Sequence, residues 1–270
     1  MKNTWMRLAA AVIVMAAIAA PAFAVERMSD KQVKEQGKIV KTGFEAWKKA
    51  LEKQKLANAT ITNATGTIDV KEFINSFEKD IDTFNDKFDS TKNGGPEALV
   101  LLRRASDVER RNRAQGSKVP SEWAALVTQL SALASAYGVT FPIETMDAQL
   151  GRVNDTELIT QLAEVERLAK RLQGQAEDAT KKANASDKAA AKAAGDAIKI
   201  ETDKLATMAK VLGDKVKNGQ ASSAEATAIL AAIKKYGEGL TALQLSQPAK
   251  TDWASIEKAA GVIARAYGEK

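Results

Sequence analysis

Five arginines, Arg103, Arg104, Arg110, Arg111 and Arg113, crowd one short stretch of the chain. Arg103 and Arg110 are seven positions apart, as are Arg104 and Arg111, so on a helix they form two adjacent rows along one side. Guanidinium groups match the oxygens of phosphates and carboxylates in a planar, two-pronged geometry. The stretch is therefore a candidate anion-binding face for phosphate-bearing polymers, acidic proteins or nucleic acid. Asp107 and Glu109 interrupt it. The competing reading is a solvated face neutralised by these acids and by those of neighbouring helices, and it is the stronger one.

A second run, Asp80, Asp82, Asp86 and Asp89, has the spacing of a calcium loop but not its other parts. The sixth position is Asn85 rather than Gly and the twelfth is Thr91 rather than Glu, and the run falls within an amphipathic helical pattern. The chain contains no histidine and no cysteine. That removes the commonest acid/base group and the ordinary ligands of zinc, haem and iron-sulfur clusters. No glycine spacing fits the phosphate-binding loop or the nucleophile elbow. No residue is assigned a catalytic, cofactor-binding or metal-binding role, and no cofactor is expected.

The elements that must position these residues are helices. Apolar residues make up 45% of the 270 positions and aromatics only 5%, while Ala, Lys, Glu, Leu and Gln, all strong helix formers, abound. The first residues read as a secretory leader. Lys2 and Arg7 precede an apolar run from Leu8 to Ala20, and Ala22-Phe23-Ala24 is a small-x-small cleavage site. The run is about 13 residues, short of the roughly 20 that cross a bilayer. No membrane span is expected after cleavage. Removing the leader's two cations leaves 38 basic against 34 acidic residues, too mild an excess to argue for specific nucleic-acid binding.

The rest is one unit used twice. Arg27-Met28-Ser29-Asp30 and Gln32 align with Arg152-Val153-Asn154-Asp155 and Glu157 at an offset of 125, and Lys92-Asn93-Gly94 with Lys217-Asn218-Gly219 at the same offset. Ser121–Gly138 then matches Thr251–Gly268, pairing Trp123 with Trp253 and Tyr137 with Tyr267. Boundaries follow: leader 1–24, repeat one 25–141, linker 142–151 and repeat two 152–270.

Each copy reads as four helices, hence two tandem antiparallel four-helix units, about eight helices in all. Capping boxes at Ser29/Gln32 and Asn154/Glu157 open the first helices. Their stripes are Val33, Val40, Phe44, Trp47 and Leu51, and Leu158, Val165, Leu168, Leu172 and Ala176. A third box, Asp69/Glu72, opens the second helix of copy one, with Phe73, Phe77, Ile81, Phe84 and Phe88 on one face. Asn93-Gly94 and Asn218-Gly219 are expected to stop the second helices. Trp and Tyr, four turns apart, join Leu126, Leu130 and Leu133, or Ile256, Ala260 and Ile263, in a core seam. Residues 58–67 should be a loop; 183–195, its Ala/Lys-rich counterpart, is either an exposed helix or a linker. The third helix of copy two has only Lys234 and Lys235 where copy one has its arginines.

These motifs, with Asp69-Val-Lys-Glu-Phe-Ile-Asn-Ser-Phe-Glu78, Arg104-Ala-Ser-Asp-Val108 and Leu133-Ala-Ser-Ala-Tyr-Gly-Val139, resemble a group of uncharacterised, signal-peptide-bearing, all-helical bacterial proteins. The resemblance implies the fold and export; it brings no activity and no site residues. The expectation is a non-catalytic periplasmic or secreted helical-bundle protein, a binding or structural module of the cell envelope whose partner is an envelope macromolecule or acidic protein. A small-molecule or lipid carrier with its ligand between helices, and a histidine-free carboxylate hydrolase, are the alternatives.

Overall fold

The computed structural model describes residues 26–63, 66–89, 92–114, 121–144, 150–241 and 246–268. The leader expected at 1–24 lies outside them. Among the described residues the chain is all-α apart from one short hairpin. Its elements are α1 (Asp30–Lys53), β1 (Thr60–Asn63), β2 (Gly66–Asp69), α2 (Val70–Lys87), α3 (Gly95–Ala114), α4 (Glu122–Ala136), α5 (Asp155–Lys182), α6 (Lys188–Lys217), α7 (Ser223–Thr241) and α8 (Gln247–Ala266). Four helices fall in each sequence copy. By contact the described chain divides into two compact units, one of Arg27–Ile159 with Lys215–Ala221, the other of Thr160–Asp214 and Ser222–Tyr267.

In the first unit α1 lies along α4 and α2, and α2 along α3. The α1 start is fixed as its sequence requires: Ser29 Oγ accepts the Gln32 N–H at 3.3 Å and Gln32 Oε1 accepts the Ser29 N–H at 2.7 Å. All five residues of the α1 stripe are buried. They meet α2 and α4 through aromatic rings. Phe44 sits 5.2 Å from Phe77, Trp47 5.8 Å from Phe73 and 5.0 Å from Trp123. Each such side chain contributes about 1.5–3 kcal/mol by leaving water, and the offset and edge-on geometries add to it. Gly37 marks a close approach of α1 to α2, since a Cβ there would lie 2.8 Å from the Phe84 ring and 2.3 Å from Asn85 Oδ1.

Two expectations for this unit need correction. Residues 58–67 are not simply a loop: β1 and β2 pair antiparallel, Thr60 opposite Asp69 and Thr62 opposite Thr67. The stretch is rich in Thr and Asn, which suggests a loop, but its Thr and Ile residues are β-branched, a residue type that favours strands. Nor do Asn93-Gly94 end the second helix. α2 stops at Lys87, Phe88 folds into the core, and the Lys92 N–H donates to Asp89 Oδ1 at 2.7 Å. Gly94, at φ +60°, instead precedes α3, packed so that a Cβ would lie 3.1 Å from Phe88. In copy two the expectation holds: α6 ends at Lys217 and Gly219 (φ +63°) donates to Val216 O at 3.0 Å.

The repeated tyrosines do more than fill the seam. Tyr137 donates its hydroxyl to the carbonyl of Asn93, just before α3, and Tyr267 shares a 2.7 Å hydrogen bond with Ser222 Oγ, just before α7. Each copy thus pins the entry of its third helix with the last aromatic of its fourth. Burial pushes the Tyr137 phenol well above its ordinary range, so it remains a donor. The tryptophans also find carboxylates, but different ones: Trp123 donates to the buried Glu109 at 2.7 Å and Trp253 to Glu257, one turn along its own helix, at 2.8 Å.

The Arg-x-x-Asp motif of each copy is answered by the motif of the other, at the adjacent starts of α1 and α5 inside the first unit. Arg152 binds the Asp30 carboxylate, and Arg27 binds Asp155 at 2.6 Å. Reciprocally, Asp155 Oδ2 accepts the Asp30 N–H at 2.8 Å and Asp30 Oδ2 accepts the Asp155 N–H at 2.9 Å. Each aspartate therefore caps the opposite helix, placing a negative charge against orphan N–H groups at its positive end. Burial lifts the Asp30 carboxyl above its ordinary range, with Arg152 and the Asp155 N–H pulling the other way. Burial also lowers Arg152, helped by Arg27.

The second unit has an aliphatic core, including Leu162, Val165, Leu168, Leu205, Leu212, Ile229 and Ile263. Here the seam position is Ala259, not the expected Ala260, which is half-buried. α7 packs on α8, where Trp253 lies 5.2 Å from Tyr236 and against Gly237. Asp252, on α8, is buried and accepts from Nε and Nη2, one edge of the Arg171 guanidinium, and, at 2.8 Å, from the Gln175 amide.

Candidate functional site

The arginine face comes apart when its partners are followed. Arg104 Nε binds Asp80 of α2. Arg110 binds Asp107 on its own helix and donates to the Ile143 carbonyl at 2.7 Å, tying down the segment after α4. Arg104 and Arg111 come together in an open groove of about 200 Å³ between β2, α2 and α3, lined also by Asp69, Glu72, Ser76 and Asp107. Arg103 and Arg110 are not part of its lining. Three carboxylates thus face two guanidiniums, and Asp69 is itself engaged as the cap of α2, accepting the Glu72 N–H at 2.9 Å. This is a network balanced within the unit rather than an excess of positive charge. The side chain of Arg113 lies outside the described residues.

The acidic run is likewise dispersed, with Asp80 held by Arg104 and Asp82 by Lys41 at 2.7 Å. Among the described residues no group of three or more Asp or Glu side chains is placed to hold a metal ion. No helix among them is long and apolar enough to cross a membrane.

A different surface stands out in the second unit. The Ala/Lys-rich segment of copy two is a helical hairpin. α5 continues to Lys182, a turn crosses Ala183–Asp187, and α6 begins at Lys188. From residue 173 to residue 201 nothing is buried: the last core residue of α5 is Leu172 and the first buried residue of α6 is Thr202. At 1.5 Å per residue the two arms run about 15 and 20 Å beyond that level. Side-chain chemistry explains how they hold together without a core. Thr180 Oγ1 bridges to the Ala191 carbonyl at 3.2 Å, and at Gly195 a Cβ would come within 2.5 Å of that oxygen. Alanine supplies intrinsic helicity with no side-chain entropy to lose.

Charge is segregated along this hairpin. Residues 181–192, around its turn, carry Lys181, Lys182, Lys188 and Lys192 against Asp187 alone. Towards the base, Glu177, Asp178, Asp196 and Glu201 face only Lys199. The ion pairs Lys181–Asp178, Lys192–Asp196 and Lys199–Glu177 are long, at 3.5–3.6 Å, and solvent-exposed, so they hold the lysines weakly. Composition had pointed to this segment, but only the depth of the core beneath it marks it as an extension.

No protein-family model matches the chain, and no curated protein or solved structure matches it.

Proposed function

We propose that this is a non-catalytic, exported helical-bundle protein of the bacterial cell envelope, a binding module whose contact surface is the α5–α6 hairpin. The observation that carries the reading is the stretch from 173 to 201, about seven turns of helix and the turn between them, in which no residue is buried. In a protein whose helices otherwise owe their stability to a packed face, an arm of this length adds little to folding. A surface for a partner accounts for it. Copy one, with the same scaffold, has the short β1–β2 hairpin in the same place between its first two helices. Difference confined to one copy suits a recognition element added to a duplicated frame. Export is supported by the leader-like 1–24 segment, and non-catalytic character by the lack of His and Cys.

A carrier has less support, since the first-unit core is closed by aromatic contacts and its groove is a surface feature lined by charge. The test is native mass spectrometry of the protein purified from its own host, comparing the intact chain with one whose residues 176–199 are replaced by a short Gly/Ser loop. The intact chain should carry an envelope macromolecule that the trimmed chain lacks. Equal recovery by both, or recovery by neither, refutes the proposal.

A further inference from the structure

The hairpin turn, residues 181–192, points to a chemistry for the partner. We infer that it docks a flexible polyanion, a linear polymer bearing phosphate groups, between the lysines at the end of α5 and those at the start of α6; the inference rests on the hairpin being the contact surface.

Helix energetics explain only two of the four lysines where they stand. Lys181 and Lys182, in the last turn of α5, suit the negative end of that helix. Lys188 and Lys192 do not suit α6. They occupy its first two turns, where its first turn has no acidic residue and the positive end of the helix disfavours cations. They are also four residues apart, on one face, where like charges repel. Asp187 is the sole acid in the stretch. Local charges that oppose the local structure mark a site selected for something other than stability.

The shape of the cluster favours a flexible polymer over a flat anionic surface. Lys181 and Lys182 point about 100° apart around α5, while Lys188 and Lys192 lie one turn, about 6 Å, apart on α6. Four ammonium groups so arranged cannot all meet one plane, but a chain with closely spaced charges can wrap them. The residues between them are Ala, Asn, Ser and Asp, with no aromatic or large aliphatic side chain to enter a bilayer, so a membrane would gain electrostatics alone. Ammonium groups on flexible stems make point-charge contacts, which suit phosphates of irregular spacing.

The experiment titrates the full chain with linear inorganic polyphosphate at several salt concentrations. It is repeated with a variant carrying Lys181→Gln, Lys182→Gln, Lys188→Gln and Lys192→Gln, and with a control of equal charge change on α1, Lys31→Gln, Lys34→Gln, Lys49→Gln and Lys53→Gln. All eight lysines are exposed, so helical circular dichroism should be unchanged. The expected result is binding by the parent chain with an apparent salt slope of about 3, by analogy with four contacts to a single-stranded polyanion. The hairpin variant should bind at least tenfold more weakly and the α1 control within threefold of the parent. No binding by the parent, equal loss in both variants, or a stronger hairpin-lysine dependence on phosphatidylglycerol vesicles than on polyphosphate overturns the inference. If polyphosphate binding fails while the trimmed chain still loses its native partner, the polymer is wrong and the binding-module reading stands. If the parent and trimmed chains recover the same partner, the reading itself falls.

Discussion

Replacing Arg152 by Met tests the reciprocal clasp at the starts of α1 and α5. The methionine keeps most of the aliphatic volume and removes the guanidinium from Asp30. The Arg152 side chain is 2% exposed and that of Asp30 12%, so water cannot replace the lost partner. Breaking a buried pair from one side typically costs about 3–5 kcal/mol. Asp30 keeps its hydrogen bond from the Asp155 N–H, which places the expected cost near the lower end, about 3 kcal/mol at pH 7. The pH dependence has a definite sign. Asp30 is already raised above its ordinary 3.8 by burial, so the folded state holds its proton more tightly than the unfolded chain. Its contribution is fully present below 3.8 and is lost as pH rises through the folded value. Arg152 is the largest influence lowering that value; without it the folded pKa climbs and the window of loss widens upwards. The cost of Arg152→Met should therefore be largest at neutral pH and shrink towards pH 4. Urea unfolding of parent and variant, followed by circular dichroism and tryptophan fluorescence from pH 4 to 8, measures this. A cost below about 1 kcal/mol at pH 7, the range of exposed pairs, or one independent of pH, would refute the account.

Other expectations follow from the same geometry. Gly37→Ala should destabilise by about 1–3 kcal/mol through the clash with Phe84, although alanine is the better helix former; Gly174→Ala, where a Cβ meets nothing within 4 Å, should stabilise by about 0.5–1 kcal/mol. Chemical denaturation of the two variants separates these signs. Replacing 176–199 by a short loop should leave the unfolding midpoint of the remainder unchanged while lowering the helical signal, because no residue from 173 to 201 is buried. In alkaline titration Tyr137 and Tyr236, both pushed up chiefly by burial, should add no tyrosinate absorbance until the fold is lost. Since the unfolded chain ionises them near 10, stability should fall as pH rises above that value.

The helix frame was legible in the sequence because its signals are local. Ser29 with Gln32, Asp69 with Glu72, and the spacing of Val33, Val40, Phe44, Trp47 and Leu51 each act within a few turns of one helix, and the structure places them accordingly. The duplication was legible for the same reason, as self-similarity needs no knowledge of where the chain goes. Short irregular stretches were harder. Residues 58–67 have the composition of a loop and the β-branching of a strand, and cross-strand pairing decided between them. Asn93-Gly94 have the chemistry of a helix stop, but Phe88 had already left the helix to enter the core, six residues before Gly94.

The availability of charged side chains was the least legible, since it depends on partners remote in sequence. The rows of Arg103 with Arg110 and Arg104 with Arg111 follow from helical spacing alone. That Arg104 is taken by Asp80, and Arg110 by the Ile143 carbonyl, is decided by how α3 meets α2 and the segment after α4. The Arg27/Asp30 and Arg152/Asp155 motifs were visible as repeats, yet their purpose was not: 125 residues separate the aspartate that caps each helix from the one it caps. Sequence by itself determined most of the helical segments, where most of them begin and that one plan recurs, because propensity, capping and periodicity are properties of neighbours along the chain. Tertiary structure alone decided which charges are spent on one another and which stay exposed, because the core ends at Leu172 and Thr202 and leaves the α5–α6 lysines beyond it.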